Sequence, residues 1–233
     1  MCGRFTLKSS PVEVAQALKL IETPSDFAPR YNIAPSQDVL MVANRGAMRA
    51  EFARWGLVPS WAKDAAIGNR LINARSDTIE EKPAFRNAFT QRRCLVIADG
   101  FLEWKTAGNH KTPFYFQTLD QGPFAMAGLW ETWKPPGAPA DYPLLQTCCL
   151  ITTEANALVG QIHDRMPVIL PPAHWPLWLA PHPMTADRLR ALLLPFAPEE
   201  MQTTPLHRRV NDARVQGPQC LQPDPGASQG WLL

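Results

Sequence analysis

The stretch "RRCLVIADGFLEWK" (92–105) decides the fold. It is an apolar, β-branched run interrupted by Asp-Gly, and further β-like runs follow it with no helical pattern between them: "TPFYFQTL" (112–119), "FAMAGLWETW" (124–133), "LLQTCCLITT" (144–153) and "PVIL" (167–170). Upstream, "DVLMVA" (38–43) and "MRAEFARWGL" (48–57) read the same way. Strands that succeed one another across turn-forming Asp-Gly, Gln-Gly and Pro-Pro-Gly clusters disfavour a doubly wound sheet. The expected class is α+β: one domain over 1–233 with a mainly antiparallel, curled, barrel-like sheet and flanking helices. One helix is signalled at "SSPVEVAQALKLI" (9–21), with Ser10 as N-cap, Pro11 in the first turn and Glu13 completing a capping box. A second is expected at "MTADRLRALLL" (184–194). The stretch 22–37 reads as a connection, and 222–233 as a strand end or a loose tail.

Composition narrows the class. Of 233 residues 45% are hydrophobic, enough for a sizeable core, and 24 prolines imply many punctuated loops. No apolar run reaches the length of a membrane span, and "MCGRFTLKSSPVEV" lacks a signal-peptide pattern, so a cytoplasmic protein is expected. Five cysteines with no C-x-x-C pair make neither a disulfide framework nor a zinc ribbon; Cys94, Cys148 and Cys149 read as buried thiols. His163, His174 and His182 have no ligand spacing, so no metal is expected. The net charge of +2 declares no partner by itself, but residues 1–105 hold 15 Lys/Arg against 11 Asp/Glu.

The residue that asks for an explanation is Cys2. Met1 is readily removed ahead of a small residue, and the chain would then start with an α-amine and a thiol on neighbouring carbons. With an amine titrating near ~8 and a thiol near ~8.5, neutral amine and thiolate coexist at neutral pH. Such a 1,2-aminothiol can attack an amide, as in N-terminal nucleophile hydrolases, or condense with an aldehyde and close a thiazolidine. Other polar residues stand where a core pattern would not place them. A strand over "DGFLEWK" puts Phe101 and Glu103 on one face and Leu102 and Trp104 on the other, leaving a carboxylate among aromatics with a raised pKa. In "INARS", Asn73 and Arg75 share a strand face. His163 could shuttle a proton near neutrality. The match of "GASQG" (226–230) to G-x-S-x-G is discarded, because no chain remains for the Asp and His that should follow.

Together these segments resemble the SOS response associated peptidase (SRAP) family of abasic-site processing proteins. "MCGRF", "RYNIAPSQ", "WGLVPSW", "LINARSDT", "ADGFLEWK" with "PFYF", "IHDRMPVIL" and "HRRVND" match in order over residues 2–220. The resemblance implies that Cys2, freed of Met1 by a peptidase-like step, links covalently to the aldehyde of an abasic site in single-stranded DNA. It further implies that Asn73 orients the amine, that Glu103 is the acid/base group, and that His163 assists ring opening and strand-cleaving lyase chemistry. Arg4 and Arg75 are similar to the family's phosphate-binding arginines, and Trp61 to an aromatic wedge. Ser60 and Ala62 flank Trp61 where some members carry a second aromatic. Asn32, Pro35 and Thr152 would line the groove, with Arg70 and Arg86 adding positive charge. The implied protein is a monomer without a cofactor, nucleoid-associated when bound, making ~2–5 phosphate contacts. A rival reading is a cysteine amidohydrolase that hydrolyses glutamine, since such domains also begin "MCG".

Overall fold

The computed structural model describes residues 2–108 and 110–225. The chain runs β1 (Arg4–Leu7), α1 (Pro11–Leu18), β2 (Arg30–Ile33), β3 (Asp38–Ala43), β4 (Ala50–Trp55), β5 (Asn73–Arg75), α2 (Arg86–Gln91), β6 (Arg93–Ala98), β7 (Gly100–Ala107) and β8 (His110–Thr118). It continues with β9 (Phe124–Trp133), β10 (Leu145–Glu154), β11 (Arg165–Pro167), α3 (Trp175–Trp178), α4 (Ala186–Arg190) and β12 (Met201–Pro205), joined by loops and short 3-10 turns. Five strands close on themselves in the order β10–β4–β3–β6–β9 and back to β10. A second sheet, β12–β8–β7–β1–β2, is antiparallel throughout. The expected α+β class with a curled, mainly antiparallel sheet is what the chain adopts, and closure removes the exposed edges that open sheets must otherwise protect.

The capping box forms as read: the Ser10 side chain accepts from the Glu13 amide, Glu13 accepts from the Ser10 amide, and the helix ends at Lys19 in a left-handed conformation. Cys94, Cys148 and Cys149 are free and buried. Several expectations need correction. Residues 92–105 are two strands, parted at Asp99, where the chain leaves the barrel for the second sheet. The 184–194 helix is only Ala186–Arg190, because Leu192 and Leu193 tighten into i→i+3 bonds to Leu189 and Arg190 ahead of Pro195. The strand expected at 167–170 starts earlier, as β11, and Val168–Leu170 then cross to bond β9. The connection at 22–37 contains β2. Pro223 bridges Leu206, while "GASQG" lies outside the described residues.

Two parallel pairings set apart one loop of the chain. β4 and β5 both run parallel to β10, at Thr147–Cys148 and Leu150–Thr152 respectively, so β5 resumes the edge that β4 leaves. Residues 56–72 bulge out between them. The neck of this excursion closes where Gly56 (φ +133°) and Gly68 touch backbone to backbone; a Cβ on either would come within 2.6 Å of the other's carbonyl oxygen. Only glycine fits both the left-handed φ and the contact. Gly56→Ala is therefore expected to cost at least ~2 kcal/mol in urea unfolding, against about 1 kcal/mol for Gly46→Ala, which has φ +90° but open space around it.

Candidate active site

Cys2 lies two residues before β1, the strand held between β7 and β2, and is fully buried. Its carbonyl oxygen accepts a hydrogen bond from Asn73 Nδ2 at 2.8 Å, which ties the start of the chain to β5. Register does the rest: Arg4 pairs with Leu102, so Glu103 stands level with the residues just ahead of β1. Phe101 faces the main core and Leu102 the smaller cluster with Tyr115, as alternation predicts. Burial pushes the Cys2 thiol well above the ordinary thiol range, and the nearby Glu103 charge adds to the rise. Burial likewise raises Glu103 from 4.5 to about 7, with the Asp164 charge contributing.

His163 lies in the loop before β11. The Arg165 amide donates to its Nδ1 at 3.0 Å, and an amide can only donate, which favours the neutral tautomer with the ring proton on Nε2. Asp164 Oδ1 is also 3.0 Å from Nδ1, a contact that becomes an ion pair only when the ring protonates. Burial lowers the His163 pKa, in keeping with the neutral form. Thr152 sits on β10 opposite Arg75 on one side and Pro167 on the other. Its Oγ1 and the Oδ1 of Asn73 are buried with no hydrogen-bond partner among the described residues. Buried polar atoms normally find partners, so this pair keeps hydrogen-bonding capacity that the fold does not use.

The other candidate residues divide into groups. Trp61 and Arg70 lie on the excursion and line one cleft of about 540 Å³, Trp61 with 60% of its surface exposed. Ala62 turns inward against Val58 and Trp133. Arg75 is exposed beside Asp77. Pro35 is half-buried in the turn before β3. Arg4 donates to Asn32 Oδ1 and to the carbonyls of Val210 and Asn211, and its guanidinium stacks over Trp104. Asn32 is wholly buried and its amide donates to the carbonyls of Val210, Asp212 and Val215, pinning that segment to β2. Arg86 stands exposed on α2, which packs against β6, β9 and α4. Sequence reasoning missed Asp77 and Arg165, and a cleft of about 340 Å³ lined by Gly3, Arg4, Trp104, Lys111 and Asn211. Arg165 had a signal in its place two residues after His163; Lys111 had none. Among the described residues no group of three His, Cys, Asp or Glu could hold a metal ion.

The raised carboxyl of Glu103 has a cost with a definite pH dependence. Below about pH 4.5 the folded and unfolded chains both keep its proton; between about 4.5 and 7 the unfolded chain ionises while the folded one stays protonated, a loss that reaches about 3 kcal/mol by pH 7 and then levels off. Glu103→Gln should thus leave stability nearly unchanged at pH 4.5 and raise it by up to about 3 kcal/mol at pH 8. Urea titrations across that range check it.

A family model described as SOS response associated peptidase (SRAP) matches residues 1–213. The chain is 41% identical over 225 residues to the abasic site processing protein YoaM of Bacillus subtilis (strain 168), covering 95% of this chain and 97% of that one. It is 28% identical over 230 residues to the abasic site processing protein YedK of Escherichia coli (strain K12), covering 96% and 100%. A solved structure of a protein from Bacteroides thetaiotaomicron superposes with a TM-score of 0.83 at 26% identity, covering 96% of this chain and all of that one. Ordered motifs, fold and relatives agree: the chain belongs to the SOS response associated peptidase (SRAP) family.

Proposed function

We propose that this protein captures abasic sites in single-stranded DNA by a covalent bond through Cys2. The observation that carries the reading is the Cys2 carbonyl held 2.8 Å from Asn73 Nδ2, beside a buried Glu103 whose pKa lies at about 7. The relatives' names, abasic site processing protein, support the substrate.

Hydrolysis of the Met1–Cys2 bond frees the α-amine. The proton of the ring-closed sugar's hydroxyl passes to its ring oxygen as the C–O bond opens to the aldehyde, and His163, whose Nε2–H can only donate, assists by hydrogen-bonding the departing oxygen. The amine then adds to the aldehyde carbon, and Glu103, poised to hold or release a proton near neutrality, protonates the hydroxyl that leaves as water. Asn73 Oδ1, unpartnered among the described residues, accepts an amine N–H and aims the lone pair. The thiol adds to the imine carbon, its proton passes to nitrogen, and a thiazolidine results. The condensation is redox-neutral and releases one water, so the chemistry requires no cofactor. Reversal runs the same steps backwards. Proton loss to water from the carbon next to the imine instead expels the 3′ phosphate, a lyase side reaction that His163 assists by donating Nε2–H to the leaving oxygen. Trp61 and Arg70 on the excursion, Arg75 on β5, and Arg4 beside Trp104 supply the aromatic and cationic surfaces that a single strand uses. The protein acts as a monomer on this reading.

The test is a denaturing gel with a single-stranded oligonucleotide carrying one abasic site. Wild-type protein should give a retarded band that survives heat and denaturant; Cys2→Ala should give none while still binding non-covalently, and Glu103→Gln should slow formation or reversal at least ~10-fold. No band from protein with verified loss of Met1 overturns the proposal, and glutamine hydrolysis by that sample would establish the amidohydrolase instead.

A further inference from the structure

Arg75 is the arginine of β5 that a DNA phosphate would meet, yet its guanidinium is already occupied. Its Nε and NH2 donate to the two carboxylate oxygens of Asp77 at 3.1 and 2.6 Å, using the same forked edge that a phosphate would take. Asp77 also faces a second cation. Arg165 NH2 stands 3.9 Å from Asp77 Oδ1, beyond hydrogen-bonding distance, while the same nitrogen donates to the Thr152 carbonyl at 2.5 Å. Arg165 is buried, and its Nε has no hydrogen-bond partner among the described residues. A buried cationic N–H left unmet is costly, so this guanidinium has an incentive to gain a carboxylate.

Asp77 therefore stands between an exposed arginine that it hydrogen-bonds and a buried one that it meets only at ion-pair distance. We infer that Asp77 is a phosphate-exchange switch: it covers Arg75 in the DNA-free protein, and a backbone phosphate arriving at Arg75 displaces it onto Arg165. The inference rests on the single-strand groove of the proposed function and names how that groove is regulated. Exposed ion pairs are weak, so a phosphate can compete for Arg75. The displaced carboxylate is not stranded beside the phosphate, because the second cation is within a short turn movement. Asp164 and Glu154 also act on Arg165, but neither is the partner of Arg75's forked edge. The groove in this view carries its own anion, which holds Arg75 oriented until a phosphate with matching geometry replaces it.

The experiment is fluorescence anisotropy with an undamaged labelled single-stranded oligonucleotide at low salt, so that no covalent step intervenes. Wild type, Asp77→Asn, Arg75→Gln and the double variant are compared after thermal melts confirm that each is folded. Asp77→Asn should bind about three-fold tighter than wild type, and that gain should vanish in the Arg75→Gln background. An equal gain in both backgrounds would mean a general charge effect and overturns the switch, as does no gain or a loss while wild type binds normally. Absence of salt-dependent binding by wild type overturns the groove itself and the switch with it.

Discussion

The carboxylate of Asp99 is the interaction on which the site depends. It is fully buried, and its bonds run to β1 and the residues after it: Thr6 Oγ1 at 2.6 Å, the Lys8 and Ser9 amides at 2.7 and 2.8 Å, and Ser9 Oγ at 2.9 Å. The Lys8 ammonium approaches to 3.8 Å. A buried charge is tolerable only when so fully met. Its position in the chain gives it reach, since Asp99 is the single residue between the barrel strand β6 and the second-sheet strand β7. Fixing the switch between sheets and the strand that Cys2 precedes with one side chain also fixes the spacing of Cys2 and Glu103.

That role also explains what is legible in the sequence. Alternation on "GFLEW" assigns the faces of Phe101 and Glu103 correctly, because period-2 patterning survives wherever one face meets a core. The Asp-Gly inside the run reads locally as a turn signal, and only tertiary contacts reveal it as a change of sheet. The glycine has its own reason: the Tyr115 ring lies where a Gly100 Cβ would be. Tyr115 hydroxyl in turn contacts Thr6 Oγ1 at 2.9 Å, joining the same network. β1 and β2 are illegible because four-residue strands carry too little pattern. Barrel closure through β9 and β10 is hidden for another reason, since pairing between strands leaves no mark in either one's own sequence.

The site divides similarly. Cys2, Asn73, Glu103 and His163 stand out as candidates in the sequence because each is a reactive or polar residue in an otherwise apolar or strand-like context. Asn32 and Arg4 show the limit. The family resemblance implies ligand binding for both, yet the Asn32 amide is spent holding 210–215 against β2, and Arg4 spends much of its own capacity there. Sequence reports which groups can bond, but not which partner the fold has already supplied.

The same distinction separates the two kinds of polar atom around Cys2. Asp99 is saturated, and saturation makes a buried carboxylate rigid and inert. Asn73 Oδ1, Thr152 Oγ1 and Arg165 Nε are buried and unmet among the described residues, all on β5, β10 and β11 where those strands pair beyond the barrel's closed ring. Stability alone would favour filling or removing them. Their position on strands that β10 holds in fixed register leaves this hydrogen-bonding capacity open at one edge of the barrel. The unfilled atoms and the saturated one are complementary: the network at Asp99 holds the frame still, while the atoms on β5, β10 and β11 keep bonding capacity that the fold itself does not use.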